Sequence, residues 1–255
     1  IPAGVSLLFM NIGQQAGIYK TVNGEKVEYE LNPPRTEYQQ MWGGYLNIHP
    51  KNVTFEGSYY RQTGKVVNES KYCQDIKAWM ASAKATVNLT DQYGCIAGYD
   101  YLSGDDFVPV PYGGQFGMPL HDVQKGFSPM YGSRAKFYGI MDYFIESAYI
   151  NGFTPALQNA FIGGFYKPNA KFNCSLTYHY LATATELTKL DRTLGHSIDI
   201  QASYRFAKDI VLEAGYTQMH GTETMDRLKQ GEGNKRARWG WFSLVISPSL
   251  FTSRW

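Results

Sequence analysis

The chain of 255 residues has little of what most folds lean on. It contains three cysteines, Cys73, Cys95 and Cys174, an odd number at unrelated spacings, which excludes a disulfide framework and a paired-cysteine metal site. Charged residues make up 18%, below the quarter usual for a soluble domain, and the net charge of +2 gives no bulk electrostatic case for nucleic acid. No stretch approaches the roughly 18 apolar residues of a membrane helix. That excludes helical spanning but leaves open a barrel, whose strands need only about 9–11 residues with alternate positions apolar. The opening "IPAGVSLLFMNIG" carries no signal-peptide pattern and reads as a strand almost at once, which gives the expectation that the chain is mature and lacks an N-terminal portion.

What the chain does have is aromatic residues, at 15%, and period-two alternation repeated along its length. In "FNCSLTYHY", Phe172, Cys174, Leu176, Tyr178 and Tyr180 oppose Asn173, Ser175, Thr177 and His179. In "HSIDIQASYRF", Ile198, Ile200, Ala202, Tyr204 and Phe206 oppose Ser197, Asp199, Gln201, Ser203 and Arg205. "VTFEGSYY", "WMASAKATVNL" and "IVLEAGYT" repeat the pattern.

A soluble β-sandwich would also alternate, so the connections decide. Tight links at 49–52, 90–92, 167–170 and 207–209 alternate strictly with long ones at roughly 14–37, 62–75, 103–155, 185–195 and 220–236. This is the asymmetry of a transmembrane antiparallel up-and-down β-barrel, with short periplasmic turns and long extracellular loops. The expectation is one all-β domain over 1–255, of about ten strands, with a long inserted loop at about 103–155. The closing "WGWFSLVISPSLFTSRW" reads as a membrane strand, with Phe251 and Trp255 in the periplasmic aromatic girdle and Trp239 and Trp241 near the opposite rim.

Several stretches resemble the alginate-export-like outer-membrane porins of Gram-negative bacteria: "GYDYLSGDD" (98–106), "FSPMYGSRAKFYGIMDYF" (127–144), "PALQNAFIGGFYKPNAKFNCSLTYHYL" (155–181) and "WFSLVISPSLF" (241–251). The histidine usual before Phe-Tyr-Gly in that family is absent from Ser133-Arg134-Ala135-Lys136. Family members are longer and form larger barrels, so the resemblance implies the C-terminal part of such a barrel, in the outer membrane, passing small hydrophilic or anionic solutes such as acidic saccharides. The alternative is a non-conducting barrel that scaffolds other outer-membrane proteins.

No catalytic constellation is present, so no enzyme activity and no cofactor are expected. His121 with Asp122, and Asp105 with Asp106, read as solvated loop residues, and the five scattered histidines lack metal-ligand spacing. With the apolar face toward lipid, Glu56, Lys84, Asp100, His179, Asp199, Arg205 and Glu213 line the interior. There they either pair with one another or meet solute, Lys84 and Arg205 offering positive charge to acidic sugars. Arg134 and Lys136 are candidates for a positive constriction in the long loop. Lys235, Arg236 and Arg238 are candidates for contact with lipopolysaccharide phosphates at the rim.

Overall fold

In the computed structural model, residues 2–16, 18–22, 25–29, 35–67, 73–105, 107–108, 118–119, 123–129, 141, 155–187, 190–229, 231, 233 and 236–248 are described. The backbone of the sheet is ten strands: β1 (Ala3–Ala16), β4 (Arg35–Ile48), β5 (Val53–Val67), β7 (Ala78–Asn88), β8 (Tyr93–Leu102), β12 (Gln158–Asn169), β13 (Phe172–Ala182), β14 (Thr193–Ala207), β15 (Ile210–Gly221) and β16 (Arg236–Ile246). They pair antiparallel in that order, each with its neighbour in the chain, so the topology is a pure up-and-down meander. Two short strands, β6 (Cys73–Ile76) and β11 (Val123–Gln124), extend the sheet to twelve by pairing beside the far end of β5. The pairs β2 (Ile18–Val22) with β3 (Glu25–Tyr29), and β9 (Phe107–Val108) with β10 (Met118–Pro119), lie within the long connections.

The expected all-β, up-and-down class is what the structure has, including the asymmetry of its ends. Short turns close β4–β5, β7–β8, β12–β13 and β14–β15 at one end. Lys51, at φ 52°, makes the first of these turns sharp, and Asn169 Oδ1 accepts from the amides of Lys171 and Phe172 in the third. Long connections leave the other end, and one of them holds the six-residue helix α1 (Glu223–Leu228), capped by the Thr222 hydroxyl accepting from Met225 N. Among the described residues, β1 and β16 do not pair with each other. They run antiparallel, as an even number of strands requires for closure.

The distribution of apolar side chains is inverted relative to a soluble protein. Leu7 (86% exposed), Phe242 (72%) and Ile162 (61%) face outward with Phe9, Leu176 and Ile200, forming one broad apolar surface. A surface this large on a soluble monomer would be an aggregation site. Aromatic residues gather at its two margins. Tyr93 stacks on Tyr166 near the turn end, with centroids 4.6 Å apart, while Tyr59, Trp79 and Tyr101 stack near the loop end. Along β8, Tyr93 and Tyr101 are about 26 Å apart at roughly 3.3 Å per residue, or about 20 Å across a membrane after a tilt of about 40°. The apolar band and its two girdles therefore have the dimensions of a bilayer-facing wall.

The buried apolar core sits not between layers but inside the loop end. Leu102, Leu157, Leu181 and Leu194 are at most 1% exposed and pack with Ile76, Phe127 and Leu228 from the connections. Met10 of the first strand and Ala237 of the last pack against this same cluster, so the sheet wraps around it. The connections are pinned by polar contacts: Ser103 Oγ donates to Lys125 O at 2.6 Å, and Asp105 Oδ1 accepts from Lys125 N and Gly126 N. Gln62 Nε2 donates to Ser128 O at 2.6 Å.

Candidate functional site on the inner wall

The inner face follows from register. Glu56 pairs with Lys84, Lys84 with Gly98, and Gly98 with Phe161, so these four lie on one side of the sheet. Phe161 pairs with His179, His179 with Ser197, and Asp199 with Thr217, which carries the same face across β12 to β15. All seven sequence candidates for the interior, Glu56, Lys84, Asp100, His179, Asp199, Arg205 and Glu213, project from this side. Their environments differ sharply.

Four strands contribute to one hydrogen-bonded chain with Asp100 and Asp199 as its anchors, and two flanking strands complete it. Ser82 Oγ donates to Asp100 Oδ1 at 2.6 Å, and Asn159 Nδ2 donates to Asp100 Oδ2 at 3.0 Å. With its amide thus committed, Asn159 presents its carbonyl Oδ1 to His179 Nδ1 at 2.9 Å. The other ring nitrogen, Nε2, lies 3.5 Å from Asp199 Oδ2, whose partner oxygen accepts from Thr217 Oγ1 at 2.5 Å. Asp100, Asn159, His179, Asp199 and Thr217 are all buried. The chain crosses β7, β8, β12, β13, β14 and β15 in sequence. It satisfies two buried carboxylates within the wall, where an unpaired one is costly. Asp100, His179 and Asp199 are thus tied into the wall's own hydrogen bonding, and Asp100 also borders the recess beside it.

Nearer the turn end the wall opens. Glu56 accepts from the Tyr45 hydroxyl at 2.6 Å and pairs with Lys84, so Lys84 is compensated where it stands. These residues line a recess with Ser58, Ser82 and Phe161. Arg205 and Glu213 lie further round, and neither has an ion-pair partner among the described residues. The wall also carries aromatic residues that alternation left unassigned. Phe161 lies over Gly98 and Phe165 over Gly94, each with ring carbons where a glycine Cβ would stand. Trp241 lies over Gly215 in the same way.

This last point corrects an expectation. Trp239 and Trp241 do lie on the loop-end half of β16, but they are not rim anchors facing lipid. Their register partners, Thr217 and Gly215, are inner-face positions, and both indoles face the interior. The reason is that β16 is apolar on both faces, so its alternation does not say which face is which. Arg236 and Arg238 pair with His220 and Gln218, and so project from the outer face at the loop end. Lys235, Arg134, Lys136, His121, Asp122, Asp106, Phe251 and Trp255 lie outside the described residues. Asp105, described, is a structural loop anchor.

No family model and no curated protein matches the sequence, so the resemblance to alginate-export-like porins rests on the quoted stretches alone. Among solved structures, the chain is similar to the Pseudomonas putida toluene transporter TodX at 11% identity and a TM-score of 0.35. The match covers 84% of this chain and 64% of that one, so the chain spans less than two thirds of its length.

Proposed function

We propose that this chain forms the wall of an outer-membrane β-barrel that passes small hydrophilic or anionic solutes, acidic saccharides among them. One observation carries the reading: below the loop end, the outer face is a broad apolar surface while Glu56, Lys84, Asp100, Asp199, Arg205 and Glu213 turn inward. Placing that outer face anywhere but in lipid leaves it uncovered, and lipid in turn requires every backbone group to be paired, which the meander provides between neighbours. Arg205, without an ion-pair partner among the described residues, is the cation best placed to favour anions. Arg236 and Arg238, on the outer face at the loop end, suit lipopolysaccharide phosphates as rim partners. The test is conductance of the purified chain in a planar bilayer, with and without an acidic oligosaccharide. Steady open current that the sugar blocks supports the proposal; silence from a folded preparation defeats it.

A second reading has its own support. The apolar cluster fills the interior at the loop end and touches both the first and last strands. A barrel sealed in this way would act as a scaffold for other outer-membrane proteins, non-conducting and recovered with them in mild detergent.

A further inference from the structure

The inner wall holds aromatic rings where a solute channel needs only polar groups. We infer that Phe161 on Gly98 and Trp241 on Gly215 are two binding platforms for uncharged, hydroxyl-rich sugar rings. The inference rests on the channel reading for its purpose, since it names which solute the wall would select.

Both rings are laid against the wall by the same device. A Cβ at Gly98 would stand 2.3 Å from Phe161 Cζ, and one at Gly215 would stand 2.2 Å from Trp241 Nε1. Only glycine leaves room for an aromatic ring to reach across onto the backbone of the neighbouring strand on this inner face. A flat π-face is what the C–H face of a pyranose covers well.

Each platform is ringed by hydrogen-bonding groups. Around Phe161 the recess presents Tyr45, Ser58, Ser82 and the Glu56–Lys84 pair. The opposite charges of that pair cancel, which suits hydroxyl groups better than a carboxylate. Around Trp241 the register sets Gln201 beside Gly215, and Ser203 and Ser243 beside Glu213. Trp239 adds a second indole, with centroids 6.4 Å apart and planes inclined by 39°, and it is 44% exposed on the inner face. Covering a bare glycine accounts for Trp241 alone. It does not account for Trp239, whose partner Thr217 is no glycine and whose indole turns away from a lipid-facing surface that would have taken it.

The test is calorimetric binding of maltohexaose, hexagalacturonate and toluene to the full chain, folded in detergent. Maltohexaose is expected to bind more tightly than the other two. Phe161→Leu and Trp241→Leu keep apolar volume but remove the flat face, and each is expected to weaken maltohexaose binding about tenfold. Phe172→Leu, on the outer face, is expected to change nothing, and circular dichroism of every variant establishes folding. Tighter binding of toluene or hexagalacturonate overturns the inference, as does maltohexaose affinity unmoved in both inner-face variants. Bilayer conductance separates the two proposals: an open pore without sugar binding removes the platforms and leaves the channel. Sugar binding by a silent barrel does the reverse.

Discussion

The two ends of the interior are built on opposite principles. At the loop end the cavity is filled by strand-end leucines together with Phe127, Met225 and Leu228 from the connections, and their burial resembles the core of a soluble domain. At the turn end the same strands present serines, a compensated Glu56–Lys84 pair and aromatic rings. Between them runs the chain from Ser82 to Thr217, holding the strands in register where the interior passes from sealed to open. The difference teaches that stability and solute contact are assigned to different heights of one wall. A change in the cap should alter stability and opening together, whereas a change near the turns should alter solute contact alone.

The largest effect should come from the cap. Leu157→Ala removes a side chain that is 0% exposed, and should cost about 2–5 kcal/mol in urea unfolding from vesicles while raising bilayer conductance. An unfolding cost with no change in current would show that the cap stabilises without sealing. Next comes the outer face. Ile200→Arg should destabilise by about 2–4 kcal/mol in the same assay, and Gln201→Arg, one residue on but on the inner wall, by far less. Equal costs would break the assignment of faces.

The polar chain should rank third. Asn159→Ala takes a donor from Asp100 and an acceptor from His179 at once, with an expected loss of about 1–3 kcal/mol. Smallest of all, Glu223→Ala on the exposed face of α1 breaks an i,i+4 pair with Arg227 and should cost only about 0.3–0.5 kcal/mol.

The same contrast explains what could be read from the sequence. Where one face is apolar and the other polar, as in β13 and β14, alternation alone identified both faces, and Leu176, Ile200 and Asp199 lie where it puts them. The turns at 49–52 and 207–209 were legible from their length and their place between alternating runs. Where both faces are apolar, alternation is silent. In β12 it could not show that Phe161 and Phe165 turn inward, nor in β16 that Trp239 and Trp241 do. The useful signal there was pairwise, since Gly98, Gly94 and Gly215 stand opposite Phe161, Phe165 and Trp241, but it appears only once register is known. The hydrogen-bonded chain was hidden for the same reason: its members are far apart in sequence, and their meeting depends on cross-strand partners. The cap joins strand-end Leu102, Leu181 and Leu194 to Phe127, Met225 and Leu228 from connections whose composition reads as polar loop, so alternation showed no cluster there.

The most direct test of the central claim uses the neighbours Ile200 and Gln201. In a cysteine-free background, each is replaced singly by cysteine, labelled with an environment-sensitive fluorophore and reconstituted in vesicles. The account predicts that brominated lipid quenches the probe at 200 while aqueous iodide does not, and that the pattern reverses at 201. Iodide quenching of both, with no effect of brominated lipid on either, would contradict a bilayer-facing outer wall.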